Sequence, residues 1–244
     1  IMGNVLAMPA YQELFAAAYP DVPLAALNFS HAANALAAYQ MDTFTFLDSP
    51  WDQYLQGDTA VLSADALAGA ELFYGAGGCA QCHSGPLLSD MQFHNIGVPQ
   101  IGPGKGYEEP LDYGRARETG DEQDMFAFRT PPLRNVALTG PWMHNGAYTT
   151  LDAAVRHHLN PAAAVANYDF SQLTPLVLAE DSGDTAVHTA ALHATSFAMP
   201  AVTLTDAEVA QLLAFLEALT SPSAADLGHT IPQSVPSGLP VGGS

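Results

Sequence analysis

The chain has 244 residues, enough to bury a real core in one domain or two. It carries 25 acidic residues against 6 basic ones, and the formal charge of -19 excludes nucleic acid, which needs a basic footprint. No run of eighteen apolar residues occurs, so no stretch reads as a membrane-spanning helix.

The chain opens with "IMGNVLAMPAYQELFAAAYP", an amphipathic helical pattern without the basic start and apolar core of a signal peptide. It starts without an initiator Met, and we expect it to be processed or incomplete at its front. "MPAYQELFAAAYP" reads as a helix, with Pro9 in its first turn and Pro20 just beyond its end. Ser30 is expected to cap a second helix over "HAANALAAYQMDTF". "SPWDQYLQGD" reads as a short turn-rich segment. Ser63 then caps "ADALAGAELFYGAGG", whose glycines deliver the chain to Cys79.

Cys79, Cys82 and His83 form C-x-x-C-H and include both cysteines of the chain. A disulfide across the two intervening residues leaves His83 without a role. A structural zinc site needs four ligands, and no second cysteine pair exists. Covalent haem attachment uses all three: two thioethers to the porphyrin and an adjacent histidine on the iron.

From Ser84 to Gly146 the sequence is loop-like, rich in Gly and Pro and poor in periodicity. Loops of that length are uncommon unless they wrap something, and a haem is large enough. "TLDAAVRHHLN" is helical with Thr150 as cap. Residues 161–203 read as an irregular excursion. Thr205 opens a capping box with Glu208 for the last clear helix, "DAEVAQLLAFLEALT". The tail from 221 is expected to lie extended. The fold class is mainly α: a cytochrome c-like haem domain with long irregular loops, little β and no internal repeat. We place boundaries at 1–62 (a helical segment), 63–220 (the haem domain) and 221–244 (the tail).

Five stretches, in this order, resemble the C-terminal haem half of the bacterial di-haem cytochrome c peroxidase and MauG family. They are "SPWDQYLQGD", "GAELFYGAGGCAQCHSGPLLSDMQFHNIGVP", "DYGRARETG", "FAFRTPPLRNVALTGPWMHNGAYTTLDAAVRHH" and "LTDAEVAQLLAFLEALT". The closing "IPQSVPSGLPV" is similar to the MauG-like branch. The resemblance implies an earlier haem half with its own C-x-x-C-H and a peroxide-binding haem. That half could precede residue 1, come from another chain, or be lost.

In the family, the helix after the "H-[DN]-G" turn supplies the second iron ligand, a Met in peroxidases and a Tyr in MauG. Counting from His144, that position is His158. Adjacent helical residues point about 100° apart, so at most one of His157 and His158 faces the haem; both could instead be helix-surface histidines. Met143, Met91 and Met125 are the other ligand candidates.

The resemblance also places Arg129 and Arg134 near the haem, where guanidinium forks suit propionates. Thr139 and Pro141 match positions whose backbone carbonyls bind calcium, although the family's remaining Asn ligand lies in the absent half. His144 matches an inter-haem histidine. His94 reads as structural, and His31, His188, His193 and His229 are expected at the surface. Trp51 and Trp142 are apolar anchors first, with electron relay as a lesser role for Trp142.

Two function classes follow. The chain is either the electron-transfer half of a periplasmic, peroxide-using oxidoreductase, or a one-haem carrier without chemistry of its own. We expect one haem c, a calcium ion, a second haem domain or chain, and a basic redox protein or protein substrate steered by the acidic surface. Salt adaptation explains the acidity equally well. Catalysis by this chain alone is not expected, because no distal acid–base pair for O–O cleavage is evident.

Overall fold

The computed structural model describes residues 1–241. Two compact units form, one from Asp48–Ser221 and one from Ile1–Leu47 with the tail from Pro222.

The smaller unit holds α1 (Met2–Leu6), α2 (Pro9–Ala18) and α3 (Phe29–Thr43). Pro9 occupies the first position of α2, where its missing N–H costs nothing. Asn28 caps α3 in place of Ser30. Its Oδ1 accepts from Ser30 N–H, and its own N–H donates to His31 Nδ1. Asn is among the strongest caps, and it leaves Ser30 inside the first turn. None of the three helices buries a residue. The tail forms two 3₁₀ turns, Pro222–Ala224 and Gly228–Thr230, where an extended course was expected.

In the larger unit, α4 (Pro50–Leu55) replaces the expected turn-rich segment. Ser49 and Asp52 build a capping box, and Pro50 sits at the first helical position. The backbone N–H of Trp51 donates to Ala218 O at 3.0 Å. That bond joins α4 to residues from the far end of the unit, which begins at Asp48, ahead of the boundary expected at 62/63.

The core forms where α5 (Ala64–Tyr74) crosses α12 (Asp206–Glu217), with Phe73, Leu212 and Phe215 almost wholly buried. A Cβ at Gly69 would sit 1.9 Å from Gln211 O, so only glycine permits this approach. The expected caps Ser63, Thr150 and Thr205 each accept a backbone N–H at the start of α5, α7 (Leu151–Leu159) and α12.

Between α5 and α7 lie mostly loops, with α6 (Ala116–Thr119) and a two-stranded antiparallel sheet, β1 (Phe93–His94) with β2 (Phe128–Arg129). The excursion at 161–203 contains four short helices: α8 (Pro161–Ala166), α9 (Pro175–Glu180), α10 (Thr185–His188) and α11 (Ala190–His193). Each is too short to display a hydrophobic period. Side chains pin the excursion down. Asn95 Nδ2 donates to Ala191 O at 2.9 Å, and Asp181 Oδ1 accepts from Gly102 N–H at 2.9 Å. His188, expected at the surface, is buried and pairs with Asp181 at 2.8 Å.

Candidate haem site

Gly75 caps the end of α5, and Gly77 and Gly78 lead the chain into a 3₁₀ turn at Cys79–Gln81, with Gly78 left-handed at φ 71°. His83 N–H donates to Cys79 O at 2.9 Å, which holds the C-x-x-C-H segment as one compact loop. Both cysteines are free, half-buried thiols. Burial pushes the Cys79 thiol up to about 11, and burial with the Asp90 carboxylate raises that of Cys82.

The His83 ring is fixed by its own loop. Leu88, left-handed at φ 53°, presents its carbonyl to His83 Nδ1 at 3.0 Å. A carbonyl only accepts, so Nδ1 carries the proton and Nε2 keeps its lone pair. Burial first, and His158 second, hold the His83 pKa down to about 4, so the imidazole is neutral at pH 7.

His158 repeats this arrangement from α7. Its Nδ1 donates to Ala154 O, one turn back, at 2.8 Å, again leaving Nε2 as the lone-pair nitrogen. Burial lowers its pKa. The two rings are neighbours in an edge arrangement, with centroids 6.2 Å apart and planes at 63°.

This pair fits a haem iron. Two imidazoles sharing one metal ion between them would stand roughly 6 Å apart centre to centre, at about 2 Å per metal–nitrogen bond and about 1 Å from ring nitrogen to ring centre. Metal-bound histidines also characteristically donate their other N–H to a carbonyl. Both conditions are met, with two thiols on the same loop as His83.

His157 is excluded as a ligand. Its Nδ1 accepts from Tyr148 O–H at 2.9 Å, and its Nε2 donates to Ile96 O at 2.9 Å. Both ring nitrogens are therefore used, and the residue is fully buried. Neither Tyr148 nor the carbonyls of Leu88 and Ile96 carries a sequence signal.

The remaining candidates separate. Arg134, expected near a propionate, makes a two-pronged ion pair with Asp52, at 2.9 and 2.8 Å, while its Nε donates to Pro86 O. Asp52 is buried inside its capping box, and that buried carboxylate claims the guanidinium. Arg129 is exposed on β2, opposite Phe93. Thr139 and Pro141 lie on an exposed turn with a cis Gly140–Pro141 bond, and Thr139 Oγ1 donates to Val136 O. His144 stacks on Phe128 at 3.5 Å and 9°. Trp142 donates its indole N–H to Val136 O. Met91 is exposed, its backbone N–H donating to Ser89 Oγ at 3.0 Å.

Cys82, Asp90 and His94 bring donor atoms within 4.8 Å of one another, a grouping missed because His94 reads as structural. His94 Nε2 and Asp90 Oδ2 already pair at 2.7 Å, and three donors fall short of the four-ligand set of a structural zinc.

Residues 1–60 match the family model described as di-haem cytochrome c peroxidase. Cytochrome-c peroxidase IdrP1 of Denitromonas iodatirespirans is 35% identical over 196 residues, covering 70% of this chain and 50% of that protein. Methylamine utilization protein MauG of Methylorubrum extorquens is 34% identical over 161 residues, covering 65% of this chain and 42% of that one. Among solved structures, a MauG-like protein associated with microbial copper homeostasis matches with a TM-score of 0.65 and 30% identity. That match covers 91% of this chain and 61% of the other. The chain spans about half the length of these curated relatives. Motif, mainly helical fold and relatives agree, and the chain belongs to the di-haem cytochrome c peroxidase and MauG family.

Proposed function

We propose that this chain is the C-terminal, electron-transferring haem half of a peroxide-using di-haem oxidoreductase. Cys79 and Cys82 would hold one haem c through thioethers, with His83 and His158 as the two iron ligands. Such a haem supplies a closed, low-spin centre that exchanges single electrons with little rearrangement. The observation that carries this reading is the matched pair of imidazoles, each with Nδ1 bound to a carbonyl and the rings 6.2 Å apart.

The chain's own residues supply orientation and tuning. Leu88 O and Ala154 O fix both tautomers and raise the basicity of each Nε2, which favours the oxidised iron and lowers the potential relative to His/Met ligation. Arg129 is the propionate partner in this reading. Asp52 and Arg134 brace the loop at Pro86. The carbonyls of Thr139 and Pro141 offer part of a calcium site that another segment completes.

A second haem domain takes the peroxide, and a basic redox protein or protein substrate exchanges electrons with the acidic surface. Covalent haem attachment takes place outside the cytoplasm, so the site of action is the periplasm. Among the described residues, no helix is long and apolar enough to cross a membrane.

The test is a haem stain of the denatured chain together with its spin state. One covalent, low-spin haem is expected, with negligible peroxide turnover by these 244 residues alone. Loss of haem on denaturation, zinc in its place, or rapid peroxide consumption would overturn the proposal.

A further inference from the structure

A series of rings leads away from the iron-ligand pair. His158 and His157 have centroids 6.1 Å apart, His157 and Tyr148 5.3 Å, and Tyr148 and Tyr168 5.5 Å. Only one phenol in this series has a base beside it. Tyr148 O–H donates to the lone pair of His157 Nδ1, whereas Tyr168 O–H donates to Ala147 O, an amide oxygen that cannot take a proton. Both members of the first pair are closed to solvent: Tyr148 is 4% exposed and His157 0%.

We propose that Tyr148 is a redox-active side chain that holds an oxidising equivalent as a neutral tyrosyl radical, with His157 keeping its proton. One electron leaves the phenol for a one-electron oxidant. The O–H bond breaks as the proton passes along the 2.9 Å hydrogen bond to Nδ1. The products are the tyrosyl radical, a His157 imidazolium and the oxidant reduced by one electron. Return of one electron sends the proton back and restores both residues.

His157 needs no titration with bulk pH for this step, because the phenol becomes a strong acid only when an electron leaves it. The Nε2–H bond to Ile96 O stays in place throughout and helps to stabilise the imidazolium. Exclusion of water keeps the proton where it can return. The oxidant, by class, is a peroxide-oxidised haem, so the biological role rests on the function proposed above. It gives the unit a store for oxidising equivalents between the arrival of peroxide and that of a reductant.

The test drives the step without peroxide. The haem-loaded chain is flash-oxidised with a ruthenium polypyridyl photosensitiser and persulfate, then freeze-trapped for electron paramagnetic resonance. A neutral tyrosyl signal with an exchangeable hydrogen-bonded proton is expected. It should be lost in Tyr148→Phe and in His157→Gln, and retained in Tyr168→Phe. Where Tyr148→Phe fails to fold, 3-fluorotyrosine placed at position 148 keeps the phenol, and fluorine hyperfine splitting then reads whether the radical resides there. A signal unchanged in Tyr148→Phe, or without fluorine splitting, overturns the proposal. The absorption spectrum of each variant records the haem separately. A low-spin haem with no Tyr148 radical therefore counts against Tyr148 alone.

Discussion

His157 and His158 are sequence neighbours on α7, yet their rings stand at 87° to one another and serve different partners. One turns inward to Tyr148 and Ile96; the other meets His83. The 100° step between helical neighbours makes this division unavoidable.

The first prediction separates them. His158→Ala should convert the low-spin haem into one with a high-spin component, while leaving the buried His157 contacts intact. His157→Ala should keep the low-spin spectrum and lose stability instead. It leaves Tyr148 O–H and Ile96 O without partners, at about 1–3 kcal/mol for each orphaned buried group. Spectra and urea unfolding of both variants check this, and an unchanged low-spin spectrum in His158→Ala would reject the ligand assignment.

Much of this was legible in the chain because it is carried by local chemistry. C-x-x-C-H brings Cys79, Cys82 and His83 together within five residues, whereas His158 was singled out through the family resemblance, and only the fold brings its ring to 6.2 Å from that of His83. Caps such as Ser63, Thr150 and Thr205 were readable for the same reason: each bonds an N–H three residues on. What stayed hidden depends on distant segments. The carbonyl that holds His157 comes from residue 96, and the carboxylate that claims Arg134 comes 82 residues earlier. A guanidinium in a chain so poor in basic residues looked reserved for a ligand. A buried carboxylate is a stronger claimant, because it cannot stay charged unpaired.

The Asp52–Arg134 pair gives the second prediction. The carboxyl is held below its ordinary range: burial alone would raise it, and Arg134 and Ser49 outweigh that. Asp52→Asn should destabilise the unit by about 2–3 kcal/mol. That is below the range for a fully buried pair, because Arg134 keeps 21% of its side chain exposed. The urea midpoint reads the loss. Arg134→Lys should recover little of the bracing, since a lysine cannot hold both carboxylate oxygens and Pro86 O together.

Helix crossing supplies the third. At Gly69 an added Cβ would fall 1.9 Å from Gln211 O and 2.9 Å from Phe215 Cβ. Gly69→Ala raises helix propensity, which on an open surface would stabilise α5 by about 1 kcal/mol. Here the clash is with backbone and must separate α5 from α12, so the expected sign reverses, to a loss of about 1–3 kcal/mol. A melting temperature equal to or above that of the unmodified chain would show that the two helices do not pack this closely.

The last prediction concerns pH. Burial first, and the neighbouring His158 second, hold the His157 pKa to about 3, with the bond to Ile96 O offsetting part of the shift. In the unfolded chain the same ring titrates near its ordinary value of about 6.5. As pH falls below about 6.5, the unfolded state binds a proton that the folded state refuses, so stability drops. The loss continues until the folded ring also protonates near pH 3, and it amounts to about 2 kcal/mol by pH 5. His157→Gln keeps a polar side chain but removes the titration. The variant starts less stable at pH 7, yet its stability should fall about 2 kcal/mol less between pH 7 and pH 5 than that of the unmodified chain. Urea unfolding at the two pH values measures the slopes, and parallel slopes would mean that His157 is not held neutral by the fold.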